Sequence, residues 1–272
     1  MTDRYAVIGN PVAHSKSPFI HAEFARQTGQ DLRYEALLAP LDGFAQAVDA
    51  FRRSGGKGLN VTLPFTLEAF RLAQDLSARA QLAQAVNTLK FEGDACFGDN
   101  TDGVGLTRDI VHNLGCAVAA RRLLLMGAGG AARGVIGPLL EQHPACLTVV
   151  NRTPEKGYQL ARQFAQLGPI AATSYPELAG SQFDLIINAT SSSLTEDMPP
   201  LPTGVFAPGA LAYDMMYSKH PSPFLRFASQ AGARVADGLG MLVEQAAESF
   251  YIWRGVRPDS QPVLALLRAG SV

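Results

Sequence analysis

Much that would mark a secreted, membrane-bound or nucleic-acid-binding protein is missing from this sequence. Only three cysteines occur in 272 residues. Cys96, Cys116 and Cys146 are far apart and odd in number, so neither a disulfide framework nor a zinc site is expected, and they read as small packed hydrophobes. The five histidines, His14, His21, His112, His143 and His220, lack any HxxxH spacing, and no metal is expected. Neither sign of charge is in excess: 23 Lys and Arg stand against 24 Asp and Glu, for a formal net charge of −1. Nothing here recommends a nucleic acid or an anionic membrane as partner. The first residues, MTDRYAVIGNP, lack a basic segment followed by an apolar run, and no signal peptide is expected. No apolar stretch has the length of a bilayer span. The longest, such as Leu123 to Met126 and Leu147 to Val150, have that of a buried strand. Repeats and low-complexity linkers are also absent. The expected compartment is the cytoplasm, and the expected assembly a monomer or homodimer.

What is present is a chain that is 47% hydrophobic and 17% charged, enough for one large or two modest domains. Strand-like and helix-like segments alternate from end to end, which implies an α/β fold with parallel sheets covered by helices. In the first part YAVIG, RYEALLAP and GLNVTL read as strands. Helical spacing covers Pro18 to Gln27 and Leu41 to Arg53, the latter capped by Asp42. Two short helices are predicted over Phe65 to Gln74 and Ala78 to Gln84, and AVNTLKFEGDACFGDN reads as a hairpin turning at Gly93-Asp94. The pattern restarts near Thr101–Asp102 with a helix from Val104 to Leu114, then strands RLLLMG, LTVVN, DLIINAT and ALAYDMMY. Helices are predicted over Ala131 to Glu141 and Glu155 to Leu167, then in the amphipathic GMLVEQAAESFYIWRG, and last over Pro262 to Ala269.

LLLMGAGGAARG carries the strongest local signal. A buried strand runs into Gly127-Ala128-Gly129-Gly130-Ala131-Ala132 and a helix starts at once, the GxGxxA form of the dinucleotide fingerprint. Gly127 permits the tight turn, Gly129 lets a pyrophosphate approach the backbone, and the helix N-terminus meets its charge. An NAD-preferring fold places Asp or Glu after the second strand, to bond the ribose 2′-hydroxyl. Here Asn151-Arg152-Thr153 stand, with Lys156 nearby, and a guanidinium can hold a 2′-phosphate. NADP is the expected cofactor. The bland alternative makes Arg152 and Lys156 ordinary solvated charges. Asn188 to Ser191, at the end of a later strand, are candidates for contact with nicotinamide or ribose, or simply a polar strand end.

Polar clusters gather at strand ends in the first part: HSKSP with Ser15 and Ser17, NVT with Thr62, AVNTL with Asn87, and GDNTDG with Asp102. Ser15 and Ser17 read equally as a turn or helix cap before Pro18. Several such clusters beside a dinucleotide fingerprint suggest a polyhydroxylated substrate. Asp102 is the only acid among them placed for a catalytic charge.

Together these residues resemble the shikimate dehydrogenase family. YAVIGNPVAHSKSPFIH, GGKGLNVTLPF, AVNTL, GDNTDGVGL, GAGGAARGV, NRT, INATSS, YDMMY and DGLGMLVEQAA come in family order and cover almost the whole chain. The resemblance implies NADPH-dependent reduction of 3-dehydroshikimate to shikimate, in aromatic amino acid biosynthesis. It implies a discontinuous substrate domain, 1–101 plus 239–272, and a Rossmann-type NADP-binding domain, 102–238, with a cleft between. It assigns the substrate to Ser15, Ser17, Thr62, Asn87, Asp102, Tyr217 and Gln245. It assigns the cofactor to Gly127, Ala128, Gly129, Gly130, Ala131, Asn151, Arg152, Thr153, Lys156, Met215 and Gly238.

One position departs. After NVT-x-PF the family continues with a lysine that pairs with the aspartate of GDNTDG as the acid–base couple. This sequence has Thr66, whose hydroxyl cannot take a proton near neutral pH. General acid–base help is typically worth ~10²–10⁴-fold, so turnover is expected to be impaired while binding survives. The competing readings are an inactivated dehydrogenase, a paralogue of weak or different activity such as a quinate/shikimate-type enzyme, and a non-catalytic binder of NADPH or shikimate. In an active chain, Lys16 or a water on Asp102 would have to move the proton.

Overall fold

The computed structural model describes residues 2–190 and 198–270. The chain divides into two compact units, Met1–Gly105 with Leu242–Val272, and Leu106–Met241. Both chain crossings fall inside helices rather than in linkers.

The first unit holds strands β1 (Asp3–Gly9), β2 (Leu32–Leu38), β3 (Gly56–Val61), β4 (Asp75–Leu76), β5 (Thr88–Glu92) and β6 (Ala95–Asp99), with helices α1 (Ser17–Thr28), α2 (Phe44–Arg53), α3 (Thr66–Leu72) and α4 (Ala78–Ala83) between them. They form one sheet in the order β2-β1-β3-β5-β6-β4. β1 runs parallel to β2 and β3, whereas β5 is antiparallel to both β3 and β6, so the Gly93-Asp94 hairpin converts a parallel sheet into a mixed one. Ile8, Phe44, Leu59, Phe65 and Leu89, all fully buried, form the core on one face. Asp42 does not cap α2. The turn from Pro40 to Gly43, closed by a 3.0 Å bond from the Gly43 N–H to the Pro40 carbonyl, takes up Leu41 and Asp42, and the helix begins at Phe44 without a side-chain cap.

α5 (Asp102–Arg108) opens the return series and continues into a π-helical turn over Asp109–Asn113. The second unit holds β7 (Arg122–Met126), β8 (Cys146–Val150), β9 (Ile170–Thr173), β10 (Phe183–Asn188), β11 (Phe206–Asp214) and β12 (Arg234–Ala236), with α6 (Gly130–Leu140), α7 (Pro154–Phe164) and α8 (Pro223–Gln230). The sheet order is β12-β11-β10-β7-β8-β9, and every neighbouring pair is parallel. Leu123 to Met126 have no exposed surface, as expected of a strand covered on both faces. The strand order reverses beside β7, and the carboxyl ends of β7 and β10 at that switch point are where such sheets bind ligands.

α9 (Leu239–Arg254) and α10 (Ser260–Arg268) close the chain. From Leu242 onward they belong to the first unit. There Trp253 stacks on Tyr5 with ring centroids 4.7 Å apart and donates its indole N–H to the Leu89 carbonyl at 2.9 Å. Asp259 caps α10 by accepting from the Gln261 N–H at 3.0 Å. Among the described residues no helix is long and apolar enough to cross a membrane.

Candidate active site

In the second unit the turn from β7 into α6 leaves its backbone open to solvent. Gly127 sits at φ +112°, with the Ala189 carbonyl 3.0 Å from where a Cβ would stand, so only glycine fits there without strain. Its N–H donates to the Val150 carbonyl at 2.8 Å, which pins the turn to β8. Ala128 is half-buried, while Gly129, Gly130 and Ala131 are exposed at the start of α6 and leave the helix N-terminus open. Ala132 is fully buried, where a larger side chain would push the helix off the sheet.

Beyond β8, Asn151 bonds the Thr153 carbonyl at 2.9 Å and shapes the turn. Arg152 and Lys156 are exposed, and neither makes an ion pair or a side-chain hydrogen bond among the described residues. Two uncommitted cations thus follow β8, with Glu155 beside Lys156 in the first turn of α7 and no acid between Asn151 and Thr153. Across the switch point, buried Asn188 accepts from both the N–H and the hydroxyl of Thr190 and donates to Asp214 at 3.2 Å. That carboxylate also accepts from Ser222 at 2.6 Å and the Met216 N–H at 3.0 Å. Met215 is thereby set against Gly238, where a Cβ would meet the Met215 carbonyl at 2.1 Å. Tyr217 is half-buried in this unit, its phenol pushed up by burial. Ser191 lies outside the described residues.

In the first unit, strand register gathers the polar clusters at one sheet end. Asn60 pairs with Thr88, and Thr88 with Asp99, so the residues after β3, before β5 and after β6 become neighbours. Asn87 Nδ2 donates to Asp102 Oδ1 at 2.7 Å. Asn87 Oδ1 accepts from the Thr101 N–H at 2.9 Å and from the hydroxyls of Thr88 at 2.9 Å and Thr101 at 3.2 Å. An oxygen so occupied cannot exchange places with the NH₂, so the amide must face Asp102 with its donor. Gln245, half-buried on α9, lies 3.4 Å from the Thr101 hydroxyl.

Ser17 is buried at the start of α1, bonded to the Tyr34 phenol, which donates to Asn60 Oδ1 at 2.8 Å. Ser15 is half-buried and accepts from the Ser17 N–H at 3.2 Å, while Thr62 is exposed just past β3. Of the wiring residues, Asn60, Thr88 and Thr101 lie within the NVT, AVNTL and GDNTDG motifs, whereas Tyr34 and Ser249 belong to no polar cluster, Ser249 standing one helical turn after Gln245.

Burial raises the Asp102 carboxyl above its ordinary range, and the Asn87 donor opposes this. No cation among the described residues pairs with it. Thr66 stands close by, at the start of α3, because its carbonyl accepts from the Val86 N–H at 3.0 Å, next to Asn87 in the chain. Its hydroxyl is half-buried and makes no hydrogen bond among the described residues.

A parallel sheet of this order with an open glycine turn defines the class: a two-unit α/β protein whose second half is a Rossmann-type dinucleotide-binding fold. Family models match for the shikimate dehydrogenase substrate binding domain over residues 7–89, for shikimate / quinate 5-dehydrogenase over 109–196, and for the shikimate 5′-dehydrogenase C-terminal domain over 238–268. The chain belongs to the shikimate dehydrogenase family. It is 63% identical to the shikimate dehydrogenase (NADP(+)) of Nitrosospira multiformis over 99% of this chain and 98% of that one. It is 61% identical to that of Dechloromonas aromatica, again over 99% and 98%. Among solved structures, an Ael1 enzyme from Pseudomonas putida superposes with a TM-score of 0.93 at 50% identity, over 97% of this chain and 98% of that one. The shikimate 5-dehydrogenase of Thermus thermophilus, in complex with NADP(H) and shikimate, gives 0.87 at 33% identity, over 98% and 99%.

Proposed function

We infer that the chain is an NADP-dependent oxidoreductase acting on a secondary alcohol, interconverting shikimate and 3-dehydroshikimate in the cytoplasm. The observation that carries this reading is the Asn87–Asp102 pair, a carboxylate held in one orientation beside Gln245 and Thr66 at the end of the first unit's sheet. Shikimate's hydroxyls and carboxylate are the partners of Ser15, Ser17, Thr62, Asn87, Asp102 and Gln245; Tyr217, in the second unit, is the remaining substrate candidate. The turn from Gly127 to Ala131 takes the pyrophosphate, Asn151 to Lys156 take the 2′-phosphate, and Met215 and Gly238 border the nicotinamide. The substrate domain expected over 1–101 with 239–272 is read as the compact unit Met1–Gly105 with Leu242–Val272, and the cofactor domain expected over 102–238 as Leu106–Met241.

NADP held there would supply the hydride acceptor for the carbinol carbon. The chain's own task is then to receive the hydroxyl proton. Asp102 Oδ2, the oxygen not held by Asn87, is the acceptor. Thr66 holds the place where the family has lysine and supplies at most a hydrogen bond, so proton transfer rests on Asp102 alone and turnover is slow. Binding does not depend on that lysine. Thr66 also favours a second reading, a binder of NADPH and shikimate without catalysis. Arg152 favours NADP and weighs against an NAD-linked quinate enzyme. A turnover assay with shikimate and NADP decides between them. Slow but enzyme-dependent NADPH formation supports the first reading. Tight shikimate binding with no NADPH formed at high enzyme concentration supports the second.

A further inference from the structure

Ser249 has no exposed surface and cannot touch a substrate, yet its hydroxyl has four polar partners around the site. It accepts from Asn60 Nδ2 at 3.0 Å, lies 2.8 Å from the Thr88 hydroxyl and 3.3 Å from that of Thr101, and has the Gln245 carbonyl, one turn earlier, as a second acceptor at 3.0 Å. The last contact is a back-bond to the helix, which by itself gives little stability. The others tie α9 to the strand ends bearing Asn87 and Asp102. All of these residues lie in the first unit.

Counting donors shows what the hydroxyl does. Asn87 Oδ1 receives the Thr101 N–H and the Thr88 hydroxyl, each at 2.9 Å. Ser249 has a single proton, and the Thr88 oxygen at 2.8 Å is the nearer of its two acceptors; given there, with the Asn60 amide also donating to Thr88, it leaves the Thr88 proton for Asn87 Oδ1. Without Ser249 Oγ, the Asn60 amide loses an acceptor, and the Thr88 and Thr101 hydroxyls are free to turn toward each other's space. Asn87 Oδ1 then keeps only the Thr101 N–H, and the hold of its Nδ2 on Asp102 is looser.

We propose that Ser249 is a positioning residue for the reaction, holding the Asn87 amide, and through it the Asp102 carboxylate, in the orientation that meets the substrate hydroxyl. This rests on the reading of Asn87 and Asp102 as substrate-facing groups. The relay predicts effects on binding and on Asp102's ionisation that a purely structural hydroxyl would not give. The test measures the shikimate Kd by calorimetry with NADP present, between about pH 5 and pH 8, for the unaltered chain, Ser249→Ala, Thr88→Val and the double variant. Ser249→Ala is expected to weaken shikimate binding roughly 2- to 10-fold, the range of one net hydrogen bond. It should also move the pH midpoint of binding upward, because Asn87 no longer holds the carboxylate ionised. Thr88→Val breaks the same relay from the strand side, so the double variant should be little worse than either single one. If Ser249→Ala is too unstable to assay, Thr88→Val alone decides by the same two readouts. An unchanged Kd and pH midpoint in a folded variant, with only Tm lowered, would overturn the proposal. Failure of the unaltered chain to bind shikimate would overturn the functional reading beneath it.

Discussion

Thr66 puts a hydroxyl where the neighbouring carboxylate has no cation, and the chemistry asks for a group that can carry a proton. Thr66→Lys is expected to raise the rate of shikimate oxidation ~10²–10⁴-fold, the usual scale of acid–base help. The Kd for shikimate should change much less, and the gain should vanish with Asp102→Asn because the two side chains act as a unit. An unaltered chain that already turns over at ordinary enzymatic rates would refute this. Arg152 invites a separate measurement. Arg152→Ala should weaken NADP binding by ~1.5–3 kcal/mol, the worth of a charge-assisted contact, and leave NAD binding nearly unchanged. Equal loss for both dinucleotides would remove Arg152 from the 2′-phosphate. His21 bears on stability rather than turnover. It is wholly buried and stacked on Tyr34 at 4.2 Å, and among the described residues neither ring nitrogen makes a hydrogen bond of ordinary geometry, the Asn60 amide beside it donating to other groups. Burial lowers its pKa from 6.5 to about 3. Between those values the unfolded chain binds a proton that the folded chain refuses. Stability is thus complete above 6.5 and falls by about 1.4 kcal/mol for each pH unit below it. Melting curves from pH 7 down to pH 5 should show that slope, and His21→Phe should flatten it.

At the scale of elements, the junction between β7 and α6 has the least tolerance. Gly127→Ala would place a methyl group against the Ala189 backbone at a positive φ, and should cost ~1–3 kcal/mol in stability and most of the NADP affinity. Calorimetry with NADP beside thermal melts tests this, and intact affinity would mean that the turn relaxes at no cost. That junction was readable in the sequence because a buried strand, three glycines and a helix leave few alternatives. The hairpin at Gly93-Asp94 was readable for a similar reason. Other elements were not. β9 and β12 are short edge strands of four and three residues, too brief for any period to emerge. β4 is shorter still and is defined by its pairing with β6. The π-helical turn at Asp109 is invisible to a pattern with a period near 3.6 residues. In the site, residue types were legible where motifs named them. The wiring was not, since the partners of Asn87 come from β3, β5, the loop after β6 and the start of α5, with Ser249 of α9 behind them, brought together only by strand register and the docking of α9.

Over the whole molecule, the first unit is discontinuous and the second is one continuous stretch. A chain stopped at Met241 would lack Gln245, Ser249 and Trp253, and with them the groups that order Asn87 and cover Tyr5. It should bind NADP and fail to bind shikimate, as two titrations would show. Shikimate binding by the shortened chain would mean that α9 does not build the site. The placement of Trp253 over Tyr5, joined to the Leu89 carbonyl, also bears on synthesis. Nascent domains usually fold in the order in which they leave the ribosome. Here the first 105 residues must wait for a helix translated after the whole intervening unit, so the part made first is completed last. Until that helix clears the exit tunnel, Tyr5 and its neighbours lack their cover, and this is the interval in which a chaperone would find the most to bind.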